Sequence, residues 1–248
     1  MTDNSKHEVT CFIEKYVLGR GILIKYFNEE DVRLIRQILL NHTDFEKPDA
    51  YSIVGDDVYM LEHFRFDASL EIRKKKNPSI KGGSSLAMDL SKTRFDELSY
   101  INPESSVEHY INNLIEHFEY HAKMYEHEYM QNIRNVKGSD KNIKGLIFLI
   151  EDGTLFGAEE AIEGEYEDDI RQFEIILTSE FMDVWKQYRF VKYIVIAGRC
   201  HNSDYAIIYT DKCKQIGCES IRDKRIFINN HAVRTYRKIP IKGEQING

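Results

Sequence analysis

Two carboxylates, Asp49 and Glu62, are spaced so that a β-hairpin would set them side by side. Residues 48–67 read PDAYSIVGDDVYMLEHFRFD. AYSIV (50–54) and VYML (58–61) are short runs rich in β-branched and aromatic residues, the composition of strands. Gly55-Asp56 lies between them, and Gly at the first loop position is what a type II′ turn requires. Pairing outwards from Val54 and Asp57 places Asp49 directly opposite Glu62 on one face. Directly opposed side chains have Cβ atoms roughly 4.5–5.5 Å apart, and like charges there repel. Two acids so placed need open solvent or a bound cation, and Mg²⁺ or Mn²⁺ would take oxygen ligands of this kind. A one-residue change in the loop would put them on opposite faces.

Pro48-Asp49, a short hairpin and then Glu62 resemble the signature of the PD-(D/E)xK nucleases, the restriction-endonuclease-like superfamily. The resemblance spans about twenty residues of 248. It implies an α/β fold with a mixed central sheet and Mg²⁺- or Mn²⁺-dependent hydrolysis of phosphodiester bonds in DNA or RNA. Asp49 and Glu62 would hold the metal, which would polarise the phosphate and lower the pKa of a bound water. The motif's Lys would fall at position 64, which is Phe64. Glu62 and Phe64 share a strand face, while His63 and Arg65 point the other way. A basic residue from another element is therefore expected at the acids, with Lys81 as the catalytic candidate and Lys92 as its rival. The family often adds a Glu from the preceding helix. Glu30 is placed in the metal set on that ground, with Glu29 and Glu46 as alternatives, although acids in a first turn also suit the helix dipole. Asp67 would join if a bulge turned it inward. The competing reading is a degenerate member that binds nucleic acid or protein without turnover; a scaffold using its long helix as a partner surface is a third.

Other chemistries find less support. His117 and His121 share a helix face, but HFEYH is not the HExxH of zinc proteases, and the pair reads as a polar helix flank. Cys200, His201, Cys213 and Cys218 lack zinc-knuckle spacing. There is no GxSxG, no GxGxxG after a strand, and no phosphate-binding loop at Lys81-Gly82-Gly83.

The elements that must position the acids follow from local patterns. Asn28 and Asp31 predict a capped helix with an apolar stripe at Val32, Ile35, Ile38 and Leu39. Ser84 or Ser85 would cap a short helix through Leu98, and a long helix runs from about 105 to 134; together they suggest a helical insertion between about 84 and 140. GLIFLI (145–150), FEIIL (173–177), YIVIA (193–197) and YAIIY (205–209) read as strands, and Thr178 caps a helix. At 248 residues, one α/β domain is expected. A net charge of −7 disfavours non-specific coating of nucleic acid but leaves room for local basic patches at 73–76, 222–225 and 234–242. No apolar run is long enough to span a membrane, the N-terminus has no signal-like h-region, and no CxxC is present. These features predict a cytoplasmic chain with free thiols.

Overall fold

In the computed structural model Gly55 takes φ +63° while Asp56 stays at negative φ, as a type II′ turn demands. The turn joins β3 (Ala50–Val54) to β4 (Asp57–Phe66) with Val54 opposite Asp57 and Ala50 opposite Leu61. The structure describes residues 7–18, 23–66, 70–71, 79–80, 103–104, 107–137, 142–153, 158–162, 169–200, 203–223 and 226–228. Adding β1 (Leu23–Lys25), β2 (His42–Asp44), β5 (Asn142–Asp152), β6 (Val191–Cys200) and β7 (Ser203–Thr210) gives a seven-stranded mixed sheet in the order β1-β7-β6-β5-β4-β3-β2. β5 runs parallel to both β4 and β6; β3 is antiparallel to β2 and β4.

The centre of this sheet is apolar on both sides. Met60, Phe64 and Phe66 of β4 enter one core cluster, while Tyr59 and Leu61 enter the other. Leu146 to Ile150 of β5 are wholly buried, which explains an apolar run with no alternation. Helices cover both faces, so the fold is an α/β sandwich of three layers. One face carries α1 (Glu8–Phe12) with a π-helical turn (Ile13–Val17), and α2 (Glu29–Leu40). The other carries α3 (Val107–Met124), a π-helical turn (Tyr125–Tyr129), α4 (Met130–Lys137) and α5 (Ser179–Gln187).

α2 begins at a reciprocal capping box: the Asp31 N–H donates to the Asn28 side chain and the Asn28 N–H donates to Asp31. α3 to α4 forms the crossover between parallel strands β4 and β5, a connection of the kind parallel pairing requires. Of the expected 84–140 helical segment, residues 107–137 are described as helix, and 84–98 lie outside the described residues. FEIIL is not a strand. Ile175–Leu177 form a 3₁₀ turn that buries Ile175 and Ile176 and leads into the Thr178 cap of α5. A buried apolar run shorter than a helix does not reveal its own backbone conformation. β1 is the strand at one edge of the sheet. Among the described residues no helix is long and apolar enough to cross a membrane. Cys11 and Cys213 are free thiols.

Candidate functional site

Asp49 stands one step beyond the last paired residues of the hairpin, opposite Glu62. The two acids interlock through the backbone. The Asp49 N–H donates to Oε2 of Glu62 at 3.3 Å, and Oδ2 of Asp49 accepts the His63 N–H at 2.8 Å. Asp49 thereby takes up a strand N–H where β3 has ended. Burial, and then the nearby Glu62 carboxylate, push the Asp49 carboxyl up to about 7, against the pull of the His63 N–H. Glu62 is 5% exposed. A buried acid must find donors, and the crossover helices supply them. Oε1 of Glu62 accepts the Tyr129 hydroxyl at 2.6 Å and faces Nδ1 of His121 at 2.7 Å.

Phe64 explains how His121 is held. Its ring stacks on His121 with centroids 4.9 Å apart and planes 6° from parallel, and on His117 at 6.1 Å. An aromatic at the motif's Lys position thus seats a histidine arriving from α3. Tyr129 comes from the π turn that follows α3, a feature often found at functional sites. Burial and the Glu62 charge hold its phenol protonated far above the ordinary range. α3 treats a second buried acid similarly: Tyr110 donates to Asp152 at the end of β5, joined by Tyr205 at 3.4 Å.

On the opposite side of β4, His63 and Arg65 point away from Glu62, as strand alternation requires. The His63 ring packs against Phe12 with Nδ1 3.4 Å from Glu8 and Nε2 3.9 Å from Glu151. Burial lowers its pKa. Glu151 of β5 accepts Lys15 at 2.8 Å and Tyr16 at 2.6 Å, both from the first π turn. Burial alone would raise the Glu151 carboxyl; those two donors outweigh it and leave it below its usual value.

The structure brings Asp49 and Glu62 together and does not bring Glu30 to them. Glu30 is exposed in the first turn of α2, on the other face of the sheet, where its charge is felt by Tyr193. Glu46 is also exposed. The further acid within electrostatic reach of Asp49 is Glu8 of α1. Lys81, Lys92 and Asp67 lie outside the described residues. Sequence reasoning missed His121, Tyr129 and Glu8. His121 and Glu62 are 59 positions apart, and only the i, i+4 histidine pair offered a signal, which HFEYH spacing led away from the site.

A divalent cation suits some of these donors. Asp49 and Glu62 offer hard oxygens, and the raised Asp49 marks negative charge short of compensation. Oε1 of Glu62 is already occupied by two partners, leaving Oε2 on the Asp49 side. Among the described residues no group of three His, Cys, Asp or Glu side chains is placed to hold a metal ion. A cation bound to two carboxylates completes its shell with water and substrate oxygens, the usual habit of Mg²⁺. Comparison with family models, curated proteins and solved structures finds no match to the chain.

Proposed function

We propose that this chain is a Mg²⁺- or Mn²⁺-dependent hydrolase of phosphodiester bonds in nucleic acid, built on a restriction-endonuclease-like core. One observation carries the reading: an under-compensated pair of acids, half-buried Asp49 and buried Glu62, interlocked across a β-hairpin. The order of helix α2, Pro48-Asp49 hairpin and Glu62 strand agrees with the order expected from the motif. When bound, a divalent cation supplies Lewis-acid polarisation of a phosphate oxygen. The chain's own groups prepare its seat. Tyr129 and His121 fix one oxygen of Glu62, the Asp49 N–H fixes the other, and the His63 N–H orients Asp49. With a net charge of −7, attraction to the phosphate backbone falls to local basic clusters such as 73–76.

The test is a thermal melt with and without Mn²⁺ beside cleavage assays on single- and double-stranded DNA and RNA. The wild type gains melting temperature with Mn²⁺ and cuts at least one substrate; Asp49→Asn does neither. No Mn²⁺ response and no cleavage would overturn the reading. A second reading, a non-catalytic nucleic-acid- or protein-binding module, is favoured by Phe64 at the Lys position. It predicts substrate binding with no cleavage in any metal.

A further inference from the structure

We propose that Glu62 and His121 form a carboxylate–histidine dyad in which Nε2 of His121 is the general base of the site, taking the place of the absent motif lysine. The inference rests on the phosphodiesterase reading for its substrate, and on geometry for the rest. Nδ1 of His121 lies 2.7 Å from Oε1 of Glu62. Tyr129 donates to that same oxygen and the Asp49 N–H to the other, so Glu62 is the acceptor throughout. The histidine nitrogen facing it therefore carries the hydrogen, and in the neutral ring the lone pair is left on Nε2. Among the described residues the His121 ring makes its hydrogen bond through Nδ1, and the side chain is 19% exposed. Phe64 stacks flat on the ring and removes its freedom to turn over. A histidine oriented by a carboxylate through one ring nitrogen, the lone pair left on the other, has the arrangement that activates a hydroxyl or water elsewhere in enzymology.

The step balances simply. Nε2 accepts a proton from the attacking water as the water oxygen bonds to phosphorus. The bond from phosphorus to the leaving oxygen breaks, its electron pair departing with that oxygen, which takes a proton from solvent. A phosphomonoester and a hydroxyl end result, with no oxidant or reductant involved.

Two variants separate orientation from proton transfer. In His121→Asn the amide N–H replaces Nδ1–H and keeps the Glu62 bond but offers no Nε2. Mn²⁺ should still raise its melting temperature while kcat falls about 10²–10⁴-fold, the usual contribution of a general base. In His121→Ala, added imidazole should restore part of the lost rate. Cleavage by His121→Asn within about threefold of wild type would sink the dyad, as would His121→Ala losing both Mn²⁺ response and activity without imidazole rescue. A second readout needs no activity. Long-range ¹H–¹⁵N spectra of the His121 ring should show hydrogen on Nδ1 in the wild type and lose that bias in Glu62→Leu. Hydrogen on Nε2 in the wild type overturns the inference. Failure of the wild type to cleave any substrate, with the expected tautomer present, removes the phosphodiester reading instead and leaves the dyad.

Discussion

Glu62 and Glu151 sit on adjacent strands, β4 and β5, on opposite faces of the sheet, and each accepts a tyrosine hydroxyl at 2.6 Å from a π-helical turn. Their surroundings then diverge. Lys15 stands 2.8 Å from Glu151 and balances its charge, leaving the carboxyl below its ordinary pKa. Glu62 has a second acid across the hairpin, and Asp49 is pushed up to about 7. Its Glu62 partner is also the more buried of the two glutamates, with a side chain 7% exposed against 18%. The same tyrosine cap thus serves a closed ion pair on one face and an open pair of acids on the other. Local excess of negative charge, and not burial of an acid as such, separates a candidate cation site from a structural clamp.

Glu62→Ala removes the acceptor for Tyr129, His121 and the Asp49 N–H at a buried position, and should lower unfolding free energy by about 3–5 kcal/mol. Glu151→Ala, more exposed, should lower it by about 1–2 kcal/mol; denaturant melts of both variants check the ranking. The next effect is a pH dependence. Asp49 binds its proton more tightly in the folded state, about 7 against about 3.9 unfolded. Its contribution is therefore intact below pH 4 and is lost as pH rises from about 4 to 7, on the order of 2–4 kcal/mol. Asp49→Asn should remove that slope in metal-free thermal melts; parallel profiles for variant and wild type would mean that Asp49 is not the strained acid.

Smaller differences probe the two caps. Tyr129→Phe should cost about 1–2 kcal/mol, while Tyr16→Phe should cost less because Lys15 still serves Glu151. Equal losses in paired melts would show the caps to be interchangeable. Smallest of all is Lys15→Met. Its side chain is 54% exposed, so stability should change by about 0–0.5 kcal/mol and the change should fade in high salt.

The hairpin pair was legible because its cause is local. Gly55-Asp56 sets the turn, the turn sets the register, and the register puts Asp49 opposite Glu62. The α2 capping box and the buried β5 run were legible for the same reason. What surrounds the acids was not. His121 and Tyr129 reach Glu62 through a crossover whose docking depends on packing between distant segments, and Tyr129 depends also on a π turn that no residue pattern announces. Glu8 approaches Asp49 from the N-terminal helix across the opposite layer. Phe64 reads from sequence as a missing lysine; only with α3 in place does it become the platform for His121.

Mn²⁺ titration calorimetry on the wild type, Asp49→Asn and Glu151→Gln asks whether a cation seats at the hairpin acids. The wild type and Glu151→Gln should bind Mn²⁺ alike, and Asp49→Asn should lose binding at least tenfold. Binding that survives Asp49→Asn, or that disappears with Glu151→Gln instead, would remove the cation from the Asp49–Glu62 pair.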